Sequence, residues 1–229
     1  MKKILLACFS LVLLISITAC GSNSEKNEKK TTNKKEESKV TTVHKKNDLS
    51  QINQVGDYAE NDLKTKFTLV AKNNDYTVEV PPLSISNNEA NILEISNIAN
   101  DDFENIRSSY GLPDNISYEN NDKLYFLMIV ADIKNTSNQA ITFNGLVSKV
   151  VTPNSEQYDS GENYSGKSSV NDYEPEAKRS GEGDAMFIGK NLSDDELYGE
   201  YKITTGETMD ANDYELISDV QKFSITFIK

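Results

Sequence analysis

Tryptophan is absent from this 229-residue chain, histidine occurs once and cysteine twice. Cys8, Cys20 and His44 all lie before position 47, so Asn47 to Lys229 contains neither thiol nor imidazole. That absence excludes Ser-His and Cys-His nucleophile pairs, an imidazole base, His- or Cys-ligated zinc and an internal disulfide from this segment. Positive charge is scarce there too: 14 Lys and Arg stand against 32 Asp and Glu, a net charge of −18. Nucleic acid and bare anionic membrane are poor partners for such a surface, whereas cations, cationic peptides and basic proteins suit it. The same charge also serves solubility alone. No glycine loop leads into a helix to cradle phosphate, because Gly181-Glu182-Gly183 precedes a strand-like run. A pair of carboxylates could in principle hydrolyse glycosides, but there is no Trp to stack on a sugar and no accompanying motif. We expect no catalytic residues, no cofactor and no metal.

The N-terminus supplies the strongest positive signal. Lys2 and Lys3 precede an apolar stretch from Ile4 to Ile17. It is as long as a signal-peptide core and shorter than the ~20 residues a spanning helix needs. The stretch ends in Ile17-Thr18-Ala19-Cys20-Gly21, which resembles the lipobox of bacterial lipoproteins. There an aliphatic residue stands three before the cysteine and small residues fit the peptidase cleft. The resemblance implies cleavage between Ala19 and Cys20, diacylglyceryl transfer to the Cys20 thiolate, and lipid anchoring at the extracytoplasmic face of the cell membrane. The alternative is an ordinary secretory signal that ends at a chance cysteine. The expected organisation is a signal peptide over 1–19, a lipidated Cys and linker over 20–46, and an ectodomain over 47–229.

Residues 21–46 hold Ser, Asn, Thr, eight Lys and four Glu, with only Val40 and Val43 to bury. Such a stretch cannot offset its ordering entropy and is expected to be a disordered tether, with a reach on the order of 30 Å. Its net charge of +4 favours an anionic bilayer, which repels the acidic segment behind it.

Beyond the tether the pattern is that of strands. Lys66–Lys72, Tyr76–Val80, Ile92–Ile98, Leu124–Ile133, Ile141–Val147, Met186–Ile188, Tyr201–Thr204 and Phe223–Ile228 are apolar or alternating runs bounded by Asn, Gly and Pro turns. One helix is expected where Phe103, Ile106 and Tyr110 share a face, capped by Asp101 or Asp102 and ended by Gly111-Leu112-Pro113. The fold class is therefore mainly β: an antiparallel sandwich with one short helix. A front segment (47–113) and a core sandwich (120–229) form an alternative division. Phe126, Ile129 and Phe143 are the candidate core.

The run Leu124 to Asn138, an apolar strand ending in Lys134-Asn135-Thr136-Ser137, with Phe143 on the next strand and Pro175 before Gly181-Glu182-Gly183-Asp184-Ala185-Met186-Phe187, resembles the telokin-like, immunoglobulin-fold lipoproteins of Gram-positive bacteria. The resemblance covers roughly 120–228, and 53–100 is similar to the front part of such lipoproteins. It implies an immunoglobulin-like sandwich and a place at the envelope, with no assigned activity. The polar stretch between Asn154 and Asp184 departs from the pattern.

That stretch sets Tyr158, Tyr164 and Tyr173 among Ser, Gly, Asn and Asp, a mixture that suits a protein-binding loop as well as a β-β connection. These tyrosines are the candidate binding residues, with a basic protein or envelope component as partner. Asp194-Asp195-Glu196 and Asp210 to Glu215 are oxygen-rich, but the second lacks the Gly and the terminal Glu spacing of an EF-hand loop, so both are expected to be solvated loops. Three functional classes follow: a membrane-anchored, non-catalytic binding module; a phage-type exclusion or immunity lipoprotein; and a carboxylate-based surface hydrolase, which the missing His and Cys disfavour.

Overall fold

The computed structural model describes residues 43–110, 112–159, 164–165 and 169–229. Residues 1–42, and with them the expected signal peptide, Ala19, Cys20 and most of the expected tether, lie outside them. The first half of the described chain contains β1 (His44–Lys45), β2 (Asp57–Glu60), β3 (Lys66–Asn73), β4 (Leu83–Ser96), α1 (Asn100–Tyr110) and β5 (Lys123–Asn135). Five short strands follow: β6 (Ile141–Phe143), β7 (Lys149–Val151), β8 (Gln157–Asp159), β9 (Tyr164–Ser165) and β10 (Asn171–Tyr173). The chain closes with β11 (Lys178–Lys190), α2 (Asp194–Leu197), β12 (Gly199–Thr204), β13 (Thr208–Asp210), β14 (Leu216–Ser218) and β15 (Lys222–Phe227). The protein is mainly β, with antiparallel sheets; the parallel pairing is β1 on β2.

The strands form a seven-stranded sheet (β1-β2-β3-β4-β5-β11-β9) and two four-stranded sheets (β10-β6-β13-β14 and β15-β12-β7-β8). Strand β5 shows why. Its side chains alternate between two buried environments, with Tyr125, Leu127, Ile129 and Ile133 in one apolar cluster and Leu124 and Phe126 in another. An uninterrupted apolar run is what a strand covered on both faces requires. The first cluster joins the large sheet to the small ones through Phe143, Tyr173, Val150, Tyr201 and Phe227, which makes the β-sandwich. The second lies beneath α1 through Ile106, Phe103 and Tyr110, which adds a helical layer. Phe126, Ile129 and Phe143 are fully buried. Strands β4 and β5 pair along their length, so the residues before and after α1 share one sheet.

Four expectations are corrected. Tyr76–Val80 forms no strand; Val78 and Val80 are buried, Tyr76 is stacked 5.8 Å from Phe223, and the segment's one ladder contact is Val80 with Leu83. Alternation there reports a half-buried surface, not a hydrogen-bonded neighbour. The strand expected over Ile141–Val147 stops at Phe143, because Gly145 adopts φ +103°, a left-handed conformation that breaks a ladder. A second helix, α2, forms over Asp194–Leu197, where a solvated loop was expected. Finally, Asp102 does not cap α1, which starts earlier, at Asn100; its buried carboxylate instead accepts from Thr65 Oγ1 (2.5 Å) and Asn61 Nδ2 (2.6 Å). It tethers the helix to the β2–β3 turn, and both Asp101 and Asp102 still face the positive end of the helix dipole.

The structured part also begins before Asn47. His44 and Lys45 pair with Asp57 and Tyr58, and Lys46 Nζ lies 3.2 Å from the buried Asp57 carboxylate. A buried carboxylate needs a counter-charge, and the last lysine of the tether supplies it.

Candidate functional site

The polar stretch after Asn154 is woven into the fold. Strand β8 joins the edge of one small sheet, β10 the edge of the other, and β9 the end of the large sheet. The three candidate tyrosines consequently have different roles. Tyr173 has no exposed surface, its hydroxyl donates to Ser169 O (3.1 Å), and burial pushes its phenol above its ordinary pKa. It is a core residue and offers no area to a partner. Tyr164 is placed by its backbone, opposite Met186. Tyr158 is half-buried, with its ring edge-on to Phe187 at 5.9 Å. Its hydroxyl donates to Glu156 Oε2 at 2.7 Å, and burial, followed by that carboxylate, raises its pKa.

Tyr158 lines a cleft of about 390 Å³ between the segment after α1 and the β8 edge. Ile116, Phe187 and Leu192 give it apolar walls, and Glu156, Lys190 and Glu196 surround them. Each of these three charged groups is already engaged. Glu156 accepts from Tyr158, Glu196 closes a capping box with Ser193 (2.7 and 2.8 Å), and Lys190 Nζ donates to Asp122 (3.0 Å). The cleft therefore presents apolar and aromatic walls rimmed by charged side chains that are hydrogen-bonded or ion-paired to their neighbours.

Asp122 holds Lys190, one of the residues that line this cleft. It accepts from Asn191 Nδ2 (2.8 Å), Glu119 N (2.7 Å) and Lys190 Nζ (3.0 Å). The Asn191 amide first, then the backbone N–H and Lys190, favour the ionised form and hold its pKa down to about 2. The unfolded chain titrates near 3.9, so the native state binds fewer protons over the interval between. The stabilisation is fully present above about pH 4 and is lost as pH falls through about 2. Asn191→Ala is expected to lower stability by about 1–3 kcal/mol at pH 7 and to flatten the fall in urea midpoint between about pH 4 and 2. An acid dependence identical in the variant and the parent would show that Asp122 does not carry it.

Other acids, buried and exposed, are structural ties. Asp184 accepts from Val147 N (3.0 Å), Ser169 N and Ser169 Oγ (both 2.7 Å), and so joins β11 to two loops. Asp194 pairs with Lys229, and Asp210 and Asp213 accept from backbone N–H groups of their own turn, those of Asn212 and Glu215. Among the described residues no group of three or more His, Cys, Asp or Glu is placed to hold a metal, and no helix is long and apolar enough to cross a membrane.

Sequence reasoning named Tyr158 but not its cleft, whose other walls come from Ile116, Phe187 and Leu192. No local signal joins positions so far apart in sequence. It also read Asp210 to Glu215 only for oxygen donors and passed over the exposed apolar residues that follow. Comparison of the chain with protein-family models, curated proteins and solved structures finds no match.

Proposed function

We propose that this chain is a lipid-anchored lipoprotein of a bacterial envelope that carries a non-catalytic, immunoglobulin-like binding module on the extracytoplasmic face, akin to the telokin-like lipoproteins. The observation that carries the reading is the ordered succession of Lys2-Lys3, the apolar Ile4 to Ile17 and Ile17-Thr18-Ala19-Cys20, followed at once by a polar basic tether. A signal core of this length directs export, and its terminal cysteine supplies the thiolate for acylation. Two features of the fold support a binding role: the buried carboxylates are engaged in hydrogen bonds and ion pairs that hold the sheets, and the acidic ectodomain favours encounter with a basic partner.

Metabolic labelling with a fatty acid tests the anchor. The wild-type protein should incorporate label and partition with membranes, and Cys20→Ser should incorporate none and remain an uncleaved precursor. Label retained by Cys20→Ser would remove the anchor from the reading.

A further inference from the structure

We infer that the β13–β14 hairpin is a docking edge for an extended, lysine- or arginine-bearing strand of another protein. This rests on the reading of the chain as a binding module and names its surface and the chemistry of its partner.

Nine large apolar side chains are exposed among the described residues, and four of them fall in seven consecutive positions: Tyr214 (68 %), Leu216 (57 %), Ile217 (36 %) and Val220 (38 %). That concentration sets the hairpin apart, since isolated exposed apolar residues are ordinary and clustered ones mark interfaces. Strand β14 is the last strand of its sheet, bonded to β13 on one side and to no described strand on the other. Ile217 is the extra residue at a bulge in β14, between the pairs Thr208 with Ser218 and Met209 with Leu216, and Leu216 and Ile217 together expose apolar surface along this edge. Edge strands are ordinarily blunted by covering, bulging or charge; β14 carries a bulge and acidic neighbours but no described covering strand, so the pairing it leaves open is with a strand of opposite charge. A docked strand would complete the ladder and bury both side chains.

Charge identifies the occupant. Asp210, Asp213, Glu215 and Asp219 surround the four apolar residues, and none of them makes an ion pair with a described Lys or Arg. A second copy of this chain would bring acid against acid, in a segment that already carries −18 from Asn47 onward. A strand alternating apolar and basic side chains would set the first against Leu216 and Ile217 and the second against the acids, with attraction that also speeds encounter.

The test uses the full chain in detergent, with a short labelled peptide alternating lysine and valine and a matched peptide alternating glutamate and valine. The lysine peptide should bind. Its affinity should fall about tenfold with Leu216→Lys, with Leu216→Ser, and with Asp213→Asn combined with Glu215→Gln. Its association should slow as ionic strength rises from about 0.05 to about 0.5 M. The altered positions are exposed, so thermal melts of the variants should match the parent. Four results would overturn the inference: no binding of the lysine peptide, equal binding of the glutamate peptide, unchanged affinity in all the variants, or a wild-type dimer that Leu216→Lys dissociates. None depends on acylation, so a failed Cys20→Ser experiment and a failed hairpin experiment are separable.

Discussion

Replacing Asn135 by Asp is expected to destabilise the protein by about 4 kcal/mol or more, a large part of the margin of about 5–15 kcal/mol on which a domain of this kind stands. Asn135 has no exposed surface. Its amide nitrogen donates to Gln139 O (2.7 Å), Tyr173 O (2.8 Å) and Glu174 O (3.2 Å), and its Oδ1 accepts from Ser137 N (2.9 Å) and Ser137 Oγ (2.8 Å). One side chain thus joins the end of β5, the turn after it and the loop that follows β10. The substitution keeps the shape and turns an oxygen toward three carbonyls. Buried acceptors then lose their donor, and a charge gains no partner.

The effect should depend on pH. The introduced carboxyl faces acceptors, so its folded pKa lies above its unfolded value of about 3.9, and its protonated form can donate one bond. The penalty is therefore smallest below about pH 4 and grows as pH rises through the folded pKa. Urea unfolding of wild type, Asn135→Asp and Asn138→Asp at about pH 4 and pH 7 measures it. Asn138 is exposed in the same turn and the same change there should cost less than about 0.5 kcal/mol. Equal midpoints for the two variants would show that the Asn135 bonds are dispensable.

Phe126→Ala should cost about 3–5 kcal/mol. The ring is fully buried, with Tyr110 of α1 at 5.1 Å and Phe187 of β11 at 5.7 Å. Truncation leaves a cavity between the helix and the large sheet, in the cluster that holds α1. The denaturant midpoint should fall accordingly, and amide exchange should accelerate in α1 more than in β6, whose Phe143 belongs to the other cluster. A midpoint unchanged from wild type would mean that this cluster contributes little.

The anatomy explains which elements were legible. Strand β5 announced itself because both its faces are buried, and Leu124 to Val130 is apolar at every position. Helix α1 did so through Phe103, Ile106 and Tyr110. Strands β8, β9, β10, β13 and β14 gave no such signal: they are two or three residues long, too short for a two-residue period to show, and exist because neighbouring strands supply their hydrogen bonds. The turn Lys134 to Ser137 was legible as a motif, but the role of Asn135 within it was not, because Tyr173 and Glu174 approach it from nearly forty residues away. Tyr158 and Tyr173 looked alike in the same polar company. One lines a cleft and the other is sealed in the core.

The amino-acid sequence by itself determined that residues 47–229 hold no thiol or imidazole, that they are acidic and that they are mainly β. Each of these is a property of composition or of short-range pattern. The tertiary structure alone decided which tyrosine is buried, which acids are tied down, which segments meet at the cleft and which strand is left at an edge. Burial and pairing are relations between distant parts of the chain, and local alternation records how many faces a strand covers without recording what covers them.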